Sequence, residues 1–171
     1  SFDDYITKLA EALNKVIAFF DSHPDVMIIY GMANHIDEND IVIEPYPTHN
    51  WSYEELLDIC FICQPAVFFR RSLVDTVGLL NVKLQYCMDY EYWLRIGAQY
   101  PFAYYQELLA GSRLYAETKT LGAREKVHRE IVNMIYEKMK EPPTRWIYNL
   151  GHVIAEEKGF QRTTRLGELR F

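Results

Sequence analysis

The residues best placed for chemistry lie in Met88-Asp89-Tyr90-Glu91-Tyr92-Trp93-Leu94-Arg95. Helical spacing over 88–99 puts Asp89 in a first turn, with Tyr92 and Trp93 three and four residues on. An aromatic wall disfavours the charged carboxylate and raises its pKa toward the range of a working base. The helix N-terminus acts in the opposite direction and favours the anion. On the residues alone, Asp89 reads as a capping carboxylate, and spacing does not decide which effect wins. Glu91 and Arg95 stand four apart, as an ordinary helical ion pair does.

Other candidate groups are less specific. Asp3-Asp4 offers two oxygen ligands of the kind Mg²⁺ or Mn²⁺ takes, although neighbouring acids at a terminus are commonly just solvated. Cys60-Phe61-Ile62-Cys63 is a CxxC, but read as a strand it points its thiols to opposite faces, and no second pair completes four zinc ligands. The five His show no ligand spacing, and there is no Gly-rich phosphate loop or Ser-nucleophile motif. Asn50-Trp51-Ser52 is a glycosylation sequon of a length that recurs by chance.

The elements that must position these groups follow from periodicity. Ile6, Leu9, Leu13, Val16, Ile17 and Phe20 predict a helix over 5–21, ended by Asp21-Ser22-His23-Pro24. Val26–Tyr30 reads as a strand buried on both faces. Asp37–Asp40 is a turn cluster, and Ile41-Val42-Ile43 completes a hairpin. Ser52 opens a short helix with a capping-box pattern. Ala66–Phe69 is a strand, and Ser72–Val77 a helix closed by Gly78. Helix 88–99 is apolar nearly all round and should be buried. Strands are expected at 102–105 and 108–110, a long helix over 117–140 broken by Pro142-Pro143, a last helix of about 14 residues, and a polar tail from Gly159.

Composition bounds the class. The 171 residues are 49% hydrophobic and 15% aromatic, enough to build a core. No apolar run reaches the ~20 residues of a membrane span, and no signal-peptide pattern opens the chain. Three Cys fit no disulfide framework and suit a reducing, cytoplasmic setting. The net charge of −6 argues against a nucleic-acid partner. It is unevenly placed: residues 1–112 carry −10 and residues 113–171 carry +4. The basic segment suits either a solvated helical face or an anionic surface, including the inner face of a membrane.

Four stretches in order resemble the family 2 inverting glycosyltransferases. They are Tyr30-Gly31 with Ile36-Asp37, then Gln64–Arg71 with Val77-Gly78, then Met88–Arg95, and then Arg113-Leu114-Tyr115 with Lys119-Thr120. They span about residues 26–130. The resemblance implies an α/β fold: part of a GT-A (nucleotide-diphospho-sugar transferase-like) mixed sheet with helices and a C-terminal helical extension. It divides the chain into an acceptor-side half over 1–116 and the extension over 117–171. The family's nucleotide-binding region is expected to be missing. Asp3-Asp4 resembles its metal-binding Ser-Asp-Asp, with Phe2 intervening after Ser1, and Tyr115 stands where many relatives carry His.

That resemblance implies transfer of a sugar from a nucleotide-sugar, bound through the missing half, to a hydroxyl of a glycan or lipid-linked acceptor, as in cell-surface polysaccharide synthesis. Asp89 would be the general base, and Mn²⁺ or Mg²⁺ would sit at Asp3 and Asp4. Gln64 would hydrogen-bond an acceptor hydroxyl or be a satisfied strand-end amide. Trp93 would stack on a sugar or fill the core. Arg95 would support the substrate-facing residues or only pair with Glu91. Arg113 would meet the leaving diphosphate or be a surface residue. The alternative is a non-catalytic interaction or oligomerisation module derived from such an enzyme, with helices 117–158 docking a partner and an exposed sheet edge favouring a homodimer.

Overall fold

The computed structural model describes residues 2–114, 122–141 and 143–160, with the backbone alone at residues 2–6 and 8. Among these residues it is a mixed α/β fold with one four-stranded sheet and six α-helices.

Helix α1 spans Phe2–Ser22, three residues longer at its start than periodicity predicted, because Asp3 and Asp4 suit a helix's first turn, where the free N–H groups favour negative charge. Its C-terminal carbonyls would lack partners. Arg70 donates to one of them, Phe20 O at 2.7 Å, and to His23 O at 3.2 Å and Val26 O at 2.8 Å just beyond the helix, while its guanidinium lies over the Phe20 ring.

Strand β1 (Ile28–Ile36) is the centre of the sheet. Strand β4 (Ala103–Arg113) runs parallel to it along one edge. Along the other edge lie two short antiparallel partners, β3 (Val67–Phe69) against Ile28–Tyr30 and β2 (Val42–Pro45) against Asn34–Ile36. The predicted hairpin is β1–β2. Asp37 shapes its turn by accepting from Asn39 N and Ile41 N, both at 2.8 Å. Asp40 sits in the left-handed region at φ 64°.

The two strands expected at 102–105 and 108–110 are one. Pairing shifts on both sides of Met32, so Gln106 and Glu107 bulge out without ending β4. Gly31 lies opposite the bulge. A Cβ there would come within 2.5 Å of Leu109 Cδ1 and 2.9 Å of the Glu107 carbonyl, so only glycine lets the strands approach this closely.

Helix α2 (Tyr53–Asp58) starts at Ser52, whose Oγ accepts from Glu55 N at 3.1 Å. A single 3-10 turn (Gln64–Ala66) leads into β3. Helix α3 (Arg71–Val77) ends at Gly78, φ 87°. Helix α4 (Met88–Gly97) buries Tyr90, Tyr92, Trp93, Leu94 and Ile96, as its all-round apolar pattern required. Helices α5 (Arg124–Met139) and α6 (Thr144–Glu157) follow, with Pro143 capping the second. The expected long helix is therefore shorter where it is described. Residues 115–121 and the predicted polar tail at 161–171 lie outside the described residues.

The core explains the order of these elements. Ile28 and Tyr30 of β1, Phe61, Leu94 and Ile96 pack with Val127, Ile131 and Met134 of α5 and Trp146 of α6. The C-terminal helices thus share the core of the sheet rather than forming one of their own. A smaller cluster of Ala33, Cys63 and Ala66, covered by Tyr46 and Leu109, lies farther along β1.

Candidate active site

Asp89 is the second residue of α4 and half-buried. Its carboxylate accepts from Tyr90 N at 2.8 Å. Burial raises its pKa above the ordinary carboxylate value. Backbone N–H donors at the helix start pull the other way and do not cancel it. Desolvation therefore wins the contest that spacing left open.

The groups around Asp89 come from three separate segments. Tyr46 from the end of the hairpin, Cys60 and Cys63 from the loop after α2, and Cys87 just before α4 all lie within its electrostatic reach. Burial first, and then the Asp89 charge among smaller effects, pushes the Cys60 thiol up to about 12 and the Cys63 thiol to about 11. Both are inert thiols rather than nucleophiles. Cys60 and Cys63 lie in irregular chain, so the strand alternation expected of the CxxC does not apply. Among the described residues no group of three His, Cys, Asp or Glu side chains is placed to hold a metal ion.

The other sequence-predicted residues separate into distinct places. Trp93 is 3% exposed and meets Phe102 edge-on at 6.0 Å, so it offers no open face to a sugar ring. Its indole N–H has no hydrogen-bond partner among the described residues. Arg95 forks onto Glu91 at 3.1 and 2.9 Å and donates to Val77 O at 2.8 Å and Leu79 O at 2.9 Å. It latches α4 to the turn after α3, which is a structural task. Gln64 is exposed at the first position of the 3-10 turn. Arg113 is exposed at the end of β4 and pairs with Asp40 at 2.6 Å, across the hairpin turn. Asp3 and Asp4 lie in the first turn of α1, and their side chains are outside the described residues.

Two features escape local reading. The Tyr90 hydroxyl donates to Leu56 O and accepts from Trp146 Nε1 at 3.1 Å, tying α4 to α2 and α6. Glu130 of α5 accepts from Gln85 N at 2.8 Å, Tyr86 N at 2.6 Å and Cys87 N at 2.9 Å. Both contacts span more than 30 residues of chain, so no short motif signals them.

Beside this frame lies an open groove of about 650 Å³ between the loop before α2 and the start of α6. His49, Trp51 and Ser52 line it together with Glu55, Asp58 and Arg145. Rings and hydrogen-bonding groups of both signs are what a polyhydroxylated ligand needs.

No protein-family model matches the chain, and no curated protein matches it.

Proposed function

We propose that this chain is the acceptor side of a nucleotide-sugar-dependent inverting glycosyltransferase, with Asp89 as the base. The observation that supports this most is Asp89 itself: a carboxyl at a helix start whose proton affinity is raised by burial. A base must take a proton from a hydroxyl as the bond to the sugar forms, and a raised pKa makes it stronger. The anion required above that pKa is held by the Tyr90 N–H and the α4 N-terminus. The sugar's anomeric carbon must lie in line between acceptor oxygen and departing diphosphate, which is how inversion arises. We assign the rest of a glycan acceptor to the groove lined by His49, Trp51 and Arg145, whose walls do not include Asp89.

The resemblance also implies a Mg²⁺ or Mn²⁺ ion at Asp3 and Asp4, which would neutralise charge on the leaving diphosphate. The direct test is transfer by the chain in its full-length setting, supplied with Mn²⁺ and a panel of nucleotide-sugars and glycan acceptors. Product of inverted anomeric configuration, seen by NMR, is expected. Failure of every donor to release its nucleotide in the presence of acceptor would refute the reading.

A second reading has one specific observation in its favour. Leu9, Leu13 and Ile17 are exposed at 56%, 40% and 56%, forming a stripe along one face of α1. Such a stripe, with β4 pairing only to β1 among the described strands, suits an association module.

A further inference from the structure

We propose that Glu130 is a positioning residue for Asp89: reaching from α5, it fixes residues 85–87 and so sets where the carboxylate at position 89 stands. This rests on the reading of Asp89 as the base.

A helix start leaves its first N–H groups without intrahelical partners, and a nearby Ser, Thr, Asp or Asn normally supplies one. Here the cap residue is Cys87, and its side chain makes no capping bond. Glu130 instead anchors the chain that leads into the helix, accepting from the N–H of the cap residue Cys87 and of Gln85 and Tyr86 before it, 43–45 residues away in sequence. Three donors converging on one carboxylate immobilise the segment in a way that one local cap does not. Burial raises the Glu130 pKa, but these three N–H donors outweigh it and leave the carboxyl below its ordinary value. It therefore stays an acceptor through the neutral range.

Helix α5 is a firm base for this grip. Val127, Ile131 and Met134 sit in the core on either side of Glu130. Two turns on, Lys138 lies 3.6 Å from Glu91, and in α6 Trp146 binds the Tyr90 hydroxyl. The C-terminal helices thus grip the chain immediately before and after Asp89. Tyr46, Cys60, Cys63 and Cys87 lie within electrostatic reach of Asp89, and Cys87 within that of Glu91 and Glu130. Residues 85–87 run directly into α4, so loosening them releases the helix start that carries Asp89, and the burial that raises its pKa falls.

The test is NMR on Glu130→Gln, whose amide keeps the shape but offers one acceptor oxygen instead of two. The Asp89 carboxyl midpoint is expected to fall toward the ordinary aspartate value. Amide exchange at 85–87 should speed at least tenfold, while Ile29 and Tyr30 keep wild-type protection. Glu130→Asp, charged but one methylene shorter, should restore part of both. A folded Glu130→Gln protein with unchanged Asp89 titration and unchanged exchange at 85–87 would overturn the proposal. Should that variant not fold, the wild type suffices. The amide shifts of 85–87 must follow one carboxyl titrating below the ordinary glutamate range, and independence from any such titration would contradict it. These readouts need no turnover, so a chain that transfers no sugar would sink the base assignment without touching this result.

Discussion

Asp89 is asked to meet opposing demands. On the proposal that it is the base, it must be anionic when an acceptor arrives, yet its setting favours the proton. The sign of each consequence follows. Turnover limited by this base should rise with pH through a midpoint above the ordinary carboxylate value and then level off, which a kcat/KM profile reads. Stability runs the other way. A carboxyl whose folded pKa is raised holds its proton more tightly when folded, so its contribution is lost as pH climbs through the folded value. Asp89→Asn should therefore raise Tm at pH 7, and that gain should fade as pH falls through the same midpoint; calorimetry at two pH values checks it. Spacing placed Asp89 in a first helical turn and paired Glu91 with Arg95, as found, while the role of base came only from the resemblance. It could not show that Trp93 is sealed beneath Phe102, nor that Arg95 is taken up by Val77 and Leu79. Those outcomes depend on residues distant in sequence.

At the scale of elements, α4 matters through what clamps it. Tyr90 joins Leu56, Trp146 and its own helix in one buried chain of hydrogen bonds. Tyr90→Phe keeps the ring and strands the indole N–H and the carbonyl, at a cost of about 1–3 kcal/mol. The urea midpoint should drop accordingly with little change in slope. The helices, the hairpin and the Gly78 stop were legible because each has local chemistry: a Ser52 cap, an Asp37 turn, a left-handed glycine. The join of 102–105 to 108–110 was not. A bulge in β4 is defined by its register against β1, where Gly31 makes room, and the polar Gln106-Glu107 pair looks locally like a break.

For the molecule as a whole, the sheet and the C-terminal helices build one core. Val127, Ile131, Met134 and Trp146 complete the core that Ile28 and Tyr30 begin. A helical pattern shows that a face will be buried but not against what, so this sharing was out of reach of periodicity. The same limit applies to the Leu9, Leu13 and Ile17 stripe, which periodicity assigned to a helix and which stays exposed. If the chain is an association module, it should self-associate at micromolar concentration and Leu13→Glu should return it to monomer, as sedimentation equilibrium would show. A concentration-independent monomer removes the homodimer from consideration.

The most direct measurement is sugar transfer by the full-length protein carrying Asp89→Asn, compared with wild type on the same nucleotide-sugar and acceptor. A fall in kcat/KM of about a hundredfold or more, the scale of a lost general base, with folding retained, is the predicted result. Near-wild-type transfer would contradict it and leave Asp89 a buried helix-start carboxylate with no part in the chemistry.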